Sequence, residues 1–89
     1  MRRRYVVRGE VQGVGFRYYT VRLAERIGIR GWVRNLPNGN VEAVGEGSEP
    51  QLTAFATGLR RGPAMANVTE LQIEEIADQG SVLKSFHIK

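Results

Sequence analysis

The sequence predicts an α+β fold in which two helices cover one face of a mostly antiparallel sheet. Short runs of strand-forming residues alternate with two longer segments whose apolar residues recur at helical spacing. A length of 89 residues and a hydrophobic content of 42% suffice for one core but not for two. We therefore expect a single domain over residues 1–89.

The first half of the chain predicts a strand, a helix and a hairpin. Residues 5–9 are rich in strand formers. The helix that follows ends at Gly28, a residue type suited to a helix C-cap. Residues 31–35 and 41–46 predict two strands, and the turn-forming residues 37–39 between them predict a hairpin. The apolar face of the helix consists of Phe16, Tyr19, Leu23, Ala24 and Ile27.

The second half begins with another predicted helix. Ser48 and Gln51 have the spacing of a capping box at a helix start, and Gly62-Pro63 ends the segment. Its predicted buried face consists of Leu52, Phe55, Ala56 and Leu59.

Two strands complete the predicted sheet. Residues 67–77 predict a long strand, and the apolar phase shifts between Val68 and Leu71, which allows a bulge there. A turn over residues 78–80 leads to a last strand over 82–88. The order βαββαβ with an extra C-terminal strand predicts a ferredoxin-like sandwich.

The composition excludes several kinds of active site. The chain has no cysteine, which excludes disulfides, thiolate metal sites and a cysteine nucleophile. The single histidine, His87, lacks the partners that the usual zinc sites need. We therefore expect neither a metal nor another cofactor.

The net charge of +4 favours anionic partners, such as a phosphorylated metabolite, nucleic acid or anionic lipid. We interpret the tightest basic run, residues 2–4, as a solvated chain end, with a weak nucleic-acid patch as the alternative. No apolar run approaches the ~20 residues of a membrane span, and no apolar segment of a secretory signal follows the basic start. We expect a soluble, cytoplasmic protein with no membrane partner.

The glycine-rich segment 9–17 is the candidate anion site. Its glycines at 9, 13 and 15 allow the backbone to turn successive N–H groups into one concavity. The following helix start adds unpaired donors, and Arg17 in the first helical turn is placed to reach the same concavity. A simple turn is the alternative. The segment is not a dinucleotide-binding loop, because that motif needs a glycine where Tyr18 stands. It is not a Walker-type loop either, because it lacks the Gly-Lys ending of that motif.

The string Val11-Gln12-Gly13-Val14-Gly15-Phe16-Arg17 resembles the acylphosphatase family. The resemblance covers essentially the whole chain and implies the same βαββαβ sandwich. It favours a small free-standing enzyme over the acylphosphatase-like domain of hydrogenase-maturation carbamoyltransferases. Further residues that fit the family's pattern are Gly28, Gly31-Trp32-Val33, Asn35, Gly39, Val41-Glu42, Gly62-Pro63, Ala66, Val68 and Phe86-His87-Ile88.

The resemblance also implies an activity, the metal-independent hydrolysis of acyl phosphates to a carboxylate and inorganic phosphate. Residues 11–16 and Arg17 are implied to hold the phosphate, and the Asn35 amide to orient the attacking water. The substrate's own phosphate is one candidate for the proton acceptor, which stays open. Glu10 is expected to face solvent, because a carboxylate aimed at phosphate repels it. We expect a monomer.

A non-catalytic ferredoxin-like module that binds anions or RNA is the alternative function. Modules of this fold bind RNA through aromatic residues on the open sheet face, and this chain lacks that aromatic string. Binding of nucleic acid is therefore not expected. We interpret Tyr5, Trp32 and Phe86 as packing residues. Tyr18 or Tyr19 is a candidate for the mouth of the site.

Overall fold

Two helices pack on one face of a five-stranded sheet in the computed structural model, which describes residues 1–78 and 82–89. The chain order is that of a βαββαβ unit followed by a short fifth strand, which confirms the predicted ferredoxin-like sandwich. The elements are β1 (Arg2–Glu10), α1 (Phe16–Ile27), β2 (Arg30–Asn35), β3 (Val41–Glu46), α2 (Glu49–Arg61), β4 (Asn67–Ile76) and β5 (Phe86–Ile88).

The sheet order, β4-β1-β3-β2-β5, brings distant segments to one edge. Strands β1 and β2 both pair antiparallel with β3, so their carboxyl ends lie at the same edge of the sheet. Strand β5 pairs parallel with β2 and ends at that edge as well. Since α1 follows β1, the start of α1 lies there too. This edge therefore gathers the glycine-rich loop, Asn35 and the chain's last strand.

The core lies between the sheet and the helices. Tyr5 and Val7 of β1 alternate with residues of the open face, as expected for a strand that is covered on one side. Tyr5 packs edge-on against Phe55, and Phe55 packs against Phe86, with ring centroids 5.2 and 5.7 Å apart. The Tyr5 hydroxyl donates to the carbonyl of Leu52, and burial raises the pKa of Tyr5 to about 12. The packing role predicted for Tyr5 and Phe86 is confirmed.

The helix ends follow the local sequence signals. Gly28 closes α1 in the left-handed conformation, with φ of 95°. The capping box of α2 is complete, because Ser48 accepts from the backbone of Gln51 and the Gln51 side chain accepts from the backbone of Ser48. Neither helix in the described part of the chain is long and apolar enough to cross a membrane.

The predicted bulge in the fourth strand is confirmed. Arg8 pairs with Glu70 and Gly9 pairs with Val68, so Thr69 is the extra residue. The irregularity lies at the carboxyl end of β1, immediately before the glycine-rich loop.

The interpretation of residues 2–4 as a solvated end is wrong. Strand β1 begins at Arg2 rather than at residue 5, and Arg2 is buried with its guanidinium 2.9 Å from Glu46. Arg4 donates to Glu42. Carboxylates on the neighbouring strands hold these arginines in the sheet, and the basic run alone does not reveal its partners.

The last strand is shorter than predicted. Only residues 86–88 pair with β2, beginning with Phe86 opposite Gly31. Because the two strands are parallel, the preceding residues 82–84 lie beyond the start of β2, and Ser85 only accepts a backbone hydrogen bond from Gly31. The predicted turn over residues 78–80 falls largely outside the described residues.

Candidate functional site

A small pocket opens at the sheet edge where β1, β2 and β5 end and α1 begins. Its volume is about 150 Å³. Pockets for drug-sized ligands measure ~300–1,000 Å³, so this one suits a group of the size of phosphate. The residues that line it are Val11, Gly13, Gly15, Phe16, Arg17, Tyr18, Asn35 and Ile88.

Two glycines set the backbone of the loop. Gly13 and Gly15 have φ values of 75° and 78°, in the left-handed region. A Cβ added at either position meets no atom within 4 Å, so conformation rather than space calls for glycine. Any other residue costs roughly 1–2 kcal/mol in this conformation. The glycines thus hold the loop in its turn before α1.

The loop presents unused backbone donors. Within the described residues, no backbone N–H of residues 12–18 donates a hydrogen bond, and the first bond of α1 runs from Tyr19 to Gly15. Gly15 is the N-cap and offers no side chain to cap the helix. Successive free N–H groups next to a helix N-terminus form a concavity that favours an anion.

Gln12 ties the loop to the β2–β3 hairpin. Its Nε2 donates to the carbonyls of Leu36 and Asn40, each at 2.8 Å. Those residues flank the turn that follows Asn35. Gln12 and Val14 do not line the pocket, although their backbone belongs to the loop. The side chain of Gln12 therefore fixes the loop relative to Asn35, a role that the sequence did not indicate.

Arg17 brings a positive charge to the pocket. Its side chain is exposed and makes no ion pair or side-chain hydrogen bond within residues 1–78 and 82–89, whereas Arg4 is held by a carboxylate. No acidic residue lines the pocket, and Glu10 is exposed, as expected. The pocket thus combines free N–H donors with one guanidinium.

Asn35 contributes an acceptor. It is the last residue of β2, and its Oδ1 is buried without a hydrogen-bond partner among the described residues. Buried polar atoms are nearly always satisfied in folded proteins, so such an exception calls for an explanation. An oxygen of this kind beside an open pocket is available to accept a hydrogen bond from water.

Tyr18 and Ile88 complete the pocket wall. Tyr18 is 64% exposed and stands at the mouth, a place for which Tyr18 and Tyr19 were both candidates. Tyr19 instead donates its hydroxyl to the carbonyl of Gly58 on α2. Sequence reasoning did not identify Ile88 as a lining residue, since only its pairing opposite Val33 places it beside the loop.

Trp32 is the one Phe, Tyr or Trp side chain on the open sheet face among the described residues. Trp32 is half-buried there, with the Lys89 ammonium 4.3 Å and the Arg34 guanidinium 5.3 Å from its ring centroid. A single flanked ring is not the aromatic platform on which RNA-binding modules of this fold stack their bases. No group of three His, Asp or Glu side chains gathers as a metal site in the described residues.

Comparison with known proteins gives consistent matches. The family model described as acylphosphatase matches residues 3–88. An acylphosphatase of Burkholderia mallei is 55% identical over 69 residues, which cover 78% of this chain and 70% of the relative. The crystal structure of acylphosphatase from Bacillus subtilis is 34% identical with a TM-score of 0.92, covering 99% of this chain and 97% of that one. The crystal structure of HypF from T. kodakarensis is 35% identical with a TM-score of 0.87, covering all of this chain but 12% of that one.

Proposed function

Because the chain belongs to the acylphosphatase family, we propose that it hydrolyses acyl phosphates at the pocket that Arg17 and Asn35 line together with Val11, Gly13, Gly15 and Phe16 of the loop 11–16. One observation carries the assignment of the site. The unpartnered Oδ1 of Asn35 belongs to the same small pocket as Arg17 and the free N–H groups of the loop. Donors that can hold an anion therefore lie beside an oxygen that can accept a hydrogen bond from water.

The loop and Arg17 hold the phosphoryl group. The N–H groups of the loop donate to its oxygens, and the guanidinium of Arg17 adds charge-assisted donors. Phosphoryl transfer gathers charge on these oxygens, so fixed donors stabilise the transition state without reorganising. This proposal needs no metal, because the positive field comes from the chain itself.

Asn35 positions the attacking water. Its Oδ1 accepts a hydrogen bond from the water, which directs a lone pair of the water oxygen at phosphorus. A new P–O bond forms from water while the bond between phosphorus and the acyl oxygen breaks. The electron pair of the broken bond leaves with the carboxylate, and the water proton ends on inorganic phosphate. A carboxylate is a stable leaving group, so no strong general acid is required.

Hydrolysis of benzoyl phosphate in the presence of a chelator tests the activity, and Arg17→Ala tests the phosphate site. Loss of the guanidinium is expected to cost about 2–5 kcal/mol of transition-state binding, a roughly 30- to 5,000-fold fall in kcat/KM. Inhibition by inorganic phosphate should weaken in parallel.

Lys84→Ala is the matched control, because it also removes one exposed positive charge. Lys84 precedes β5 and lies beyond the start of β2, at the opposite end from Asn35. The kcat/KM of the Lys84→Ala variant is expected to stay within about twofold of the wild-type value.

If the wild-type protein binds phosphate but does not hydrolyse benzoyl phosphate, a non-catalytic anion-binding module is favoured over the enzyme.

Asn35→Ala separates water positioning from phosphate binding. The variant is expected to lower kcat by roughly 100-fold or more while inhibition by phosphate stays near the wild-type level, because the lost contact serves the chemical step. A variant with wild-type kcat would show that Asn35 does not orient the water.

A further inference from the structure

A second groove continues from the pocket along α1. Its volume is about 350 Å³, and its lining is Gly15, Tyr18, Tyr19, Arg22 and Arg26. Gly15 and Tyr18 also line the small pocket, so the two cavities adjoin. A group bound in the pocket therefore lies next to the groove, with Gly15 and Tyr18 at the boundary between the two cavities.

The groove is strongly positive. Tyr18, Arg22 and Arg26 are spaced four residues apart and share one face of α1, which covers about 12 Å along the helix axis. No acidic residue lines the groove, and neither arginine forms an ion pair in the part of the chain that the structure describes. The Arg22 guanidinium lies 5.8 Å from the centre of the Tyr18 ring.

This arrangement differs from that of the arginines on the sheet. Arg4 and Arg34 share the carboxylate of Glu42, so their charges are largely compensated where they lie. The charges of Arg22 and Arg26 have no such partner among the described residues, and an anionic ligand can supply one. The aromatic face of Tyr18 adds an apolar surface at the entrance to the groove.

We propose that this groove, defined by Tyr18, Arg22 and Arg26, binds the acyl part of the substrate and selects acyl groups that carry a second negative charge. The inference rests on the proposed function, which places the phosphoryl group in the adjoining pocket. The acyl part then projects outward past Tyr18, and a carboxylate at its far end reaches Arg22 or Arg26. Acyl phosphates of dicarboxylic acids are the substrate class that this chemistry fits.

Two aromatic substrates of matched size test the selection. In 4-carboxybenzoyl phosphate the para substituent is a carboxylate, and in 4-methylbenzoyl phosphate it is a methyl group. Neither acyl phosphate can cyclise, because the para substituent cannot reach its own carbonyl carbon. The measured quantity is the preference, the ratio of kcat/KM for the carboxy substrate to that for the methyl substrate. We expect the wild-type protein to prefer the carboxy substrate by about threefold to tenfold at low salt, the range for two exposed charge contacts.

The variants Arg22→Gln, Arg26→Gln and the double variant are expected to bring the preference towards one, mainly through KM, because the contact is made in ground state and transition state alike. Arg22→Lys should retain part of the preference, because lysine keeps the positive charge. Lys84→Gln removes the same charge from a residue that does not line the groove and should leave the preference intact. Thermal unfolding of each variant shows that it is folded.

The outcomes separate the two proposals. If the wild-type protein hydrolyses both substrates with equal kcat/KM, or if the double variant keeps the full preference, the groove does not select charge and the inference is overturned while the proposed function stands. If the protein hydrolyses neither substrate, the proposed function is wrong and the inference falls with it. A preference that declines as salt rises from about 0.02 to 0.5 M supports the electrostatic cause.

Discussion

Gln12 joins two parts of the chain that must stay in register for the pocket to form. Its side chain bridges to two carbonyls of the hairpin turn, while its backbone belongs to the loop. Both hydrogen bonds are partly buried, so water replaces them poorly once they are lost. The position of Asn35 relative to Arg17 therefore depends on Gln12 as well as on the sheet.

Replacing Gln12 by Ala is expected to weaken both folding and the proposed activity. The variant loses two partly buried hydrogen bonds, although each carbonyl keeps its backbone donor in the turn, which should cost about 1–3 kcal/mol of unfolding free energy. A loop displaced from Asn35 should lower kcat/KM by roughly ten- to 100-fold. Urea unfolding and an assay with benzoyl phosphate measure the two effects.

Gln72→Ala is the control for the loop anchor. Gln72 is exposed on β4 and donates to Glu70 at 3.3 Å on the surface, so both quantities should remain near wild type. If Gln12→Ala retains the wild-type kcat/KM, the loop keeps its position without the two hydrogen bonds from the Gln12 side chain.

The sequence reveals the site residues unevenly for a physical reason. Arg17 and the glycines belong to one continuous string, so their proximity is local and a single segment predicts it. The contact between Gln12 and Leu36 spans 24 positions and exists only because β1 and β2 end at the same edge. The unpartnered oxygen of Asn35 likewise depends on tertiary surroundings that no local pattern encodes.

At the scale of elements, α2 shows how a local signal fixes a boundary. Ser48 and Gln51 satisfy each other's backbone donors, and the Gln51 side chain also donates to the carbonyl of Ile27 at the end of α1. The cap thus orders the start of α2 and ties it to the other helix. Both effects act at the end of the helix pair that lies away from the loop.

Ser48→Ala is expected to destabilise the fold without affecting the proposed site. Loss of an N-cap side chain costs about 1 kcal/mol, which lowers Tm by about 4–8 °C in a domain of this size. Thermal unfolding measures the shift. Thr53→Ala, at an exposed position within the same helix, should not lower Tm, because alanine favours helix more than threonine does. Equal Tm values for the two variants would show that the cap contributes nothing.

The strands were predicted less completely than the helices. Apolar spacing and caps are properties of each helix alone, and α1 and α2 have the predicted bounds. The extent of a strand is set by its neighbours. Strand β1 therefore extends to Arg2 because β3 and β4 flank it, and β5 is limited to residues 86–88, which pair with Gly31 to Val33 of β2.

At the scale of the molecule, charge pairing on the open face connects the three central positions of the sheet. Glu42 on β3 accepts from Arg4 on β1 and from Arg34 on β2. Glu42 is only 4% exposed, so the carboxylate depends on these two partners for its stability. Burial alone would raise the pKa of Glu42, but the hydrogen bonds from Arg4 and Arg34 outweigh burial and hold the pKa below its usual value.

The lowered pKa of Glu42 predicts that the free energy of unfolding falls at acid pH, which is the acid limb of the stability profile. A carboxyl that is more acidic in the folded state stabilises the fold fully above its unfolded pKa, near 4.5, and the contribution disappears as pH falls through the lower folded pKa. Glu42→Gln is expected to lose about 1–3 kcal/mol of unfolding free energy at pH 7, and this deficit should shrink as pH falls below about 4.5. Urea unfolding at pH 7, 5, 4 and 3 measures this difference in unfolding free energy.

Glu70→Gln is the control for the loss of a carboxylate. It removes an exposed partner 3.9 Å from Arg8 and should change the unfolding free energy by less than about 1 kcal/mol. A constant difference between wild type and Glu42→Gln at all four pH values would contradict the assignment of the acid limb to Glu42.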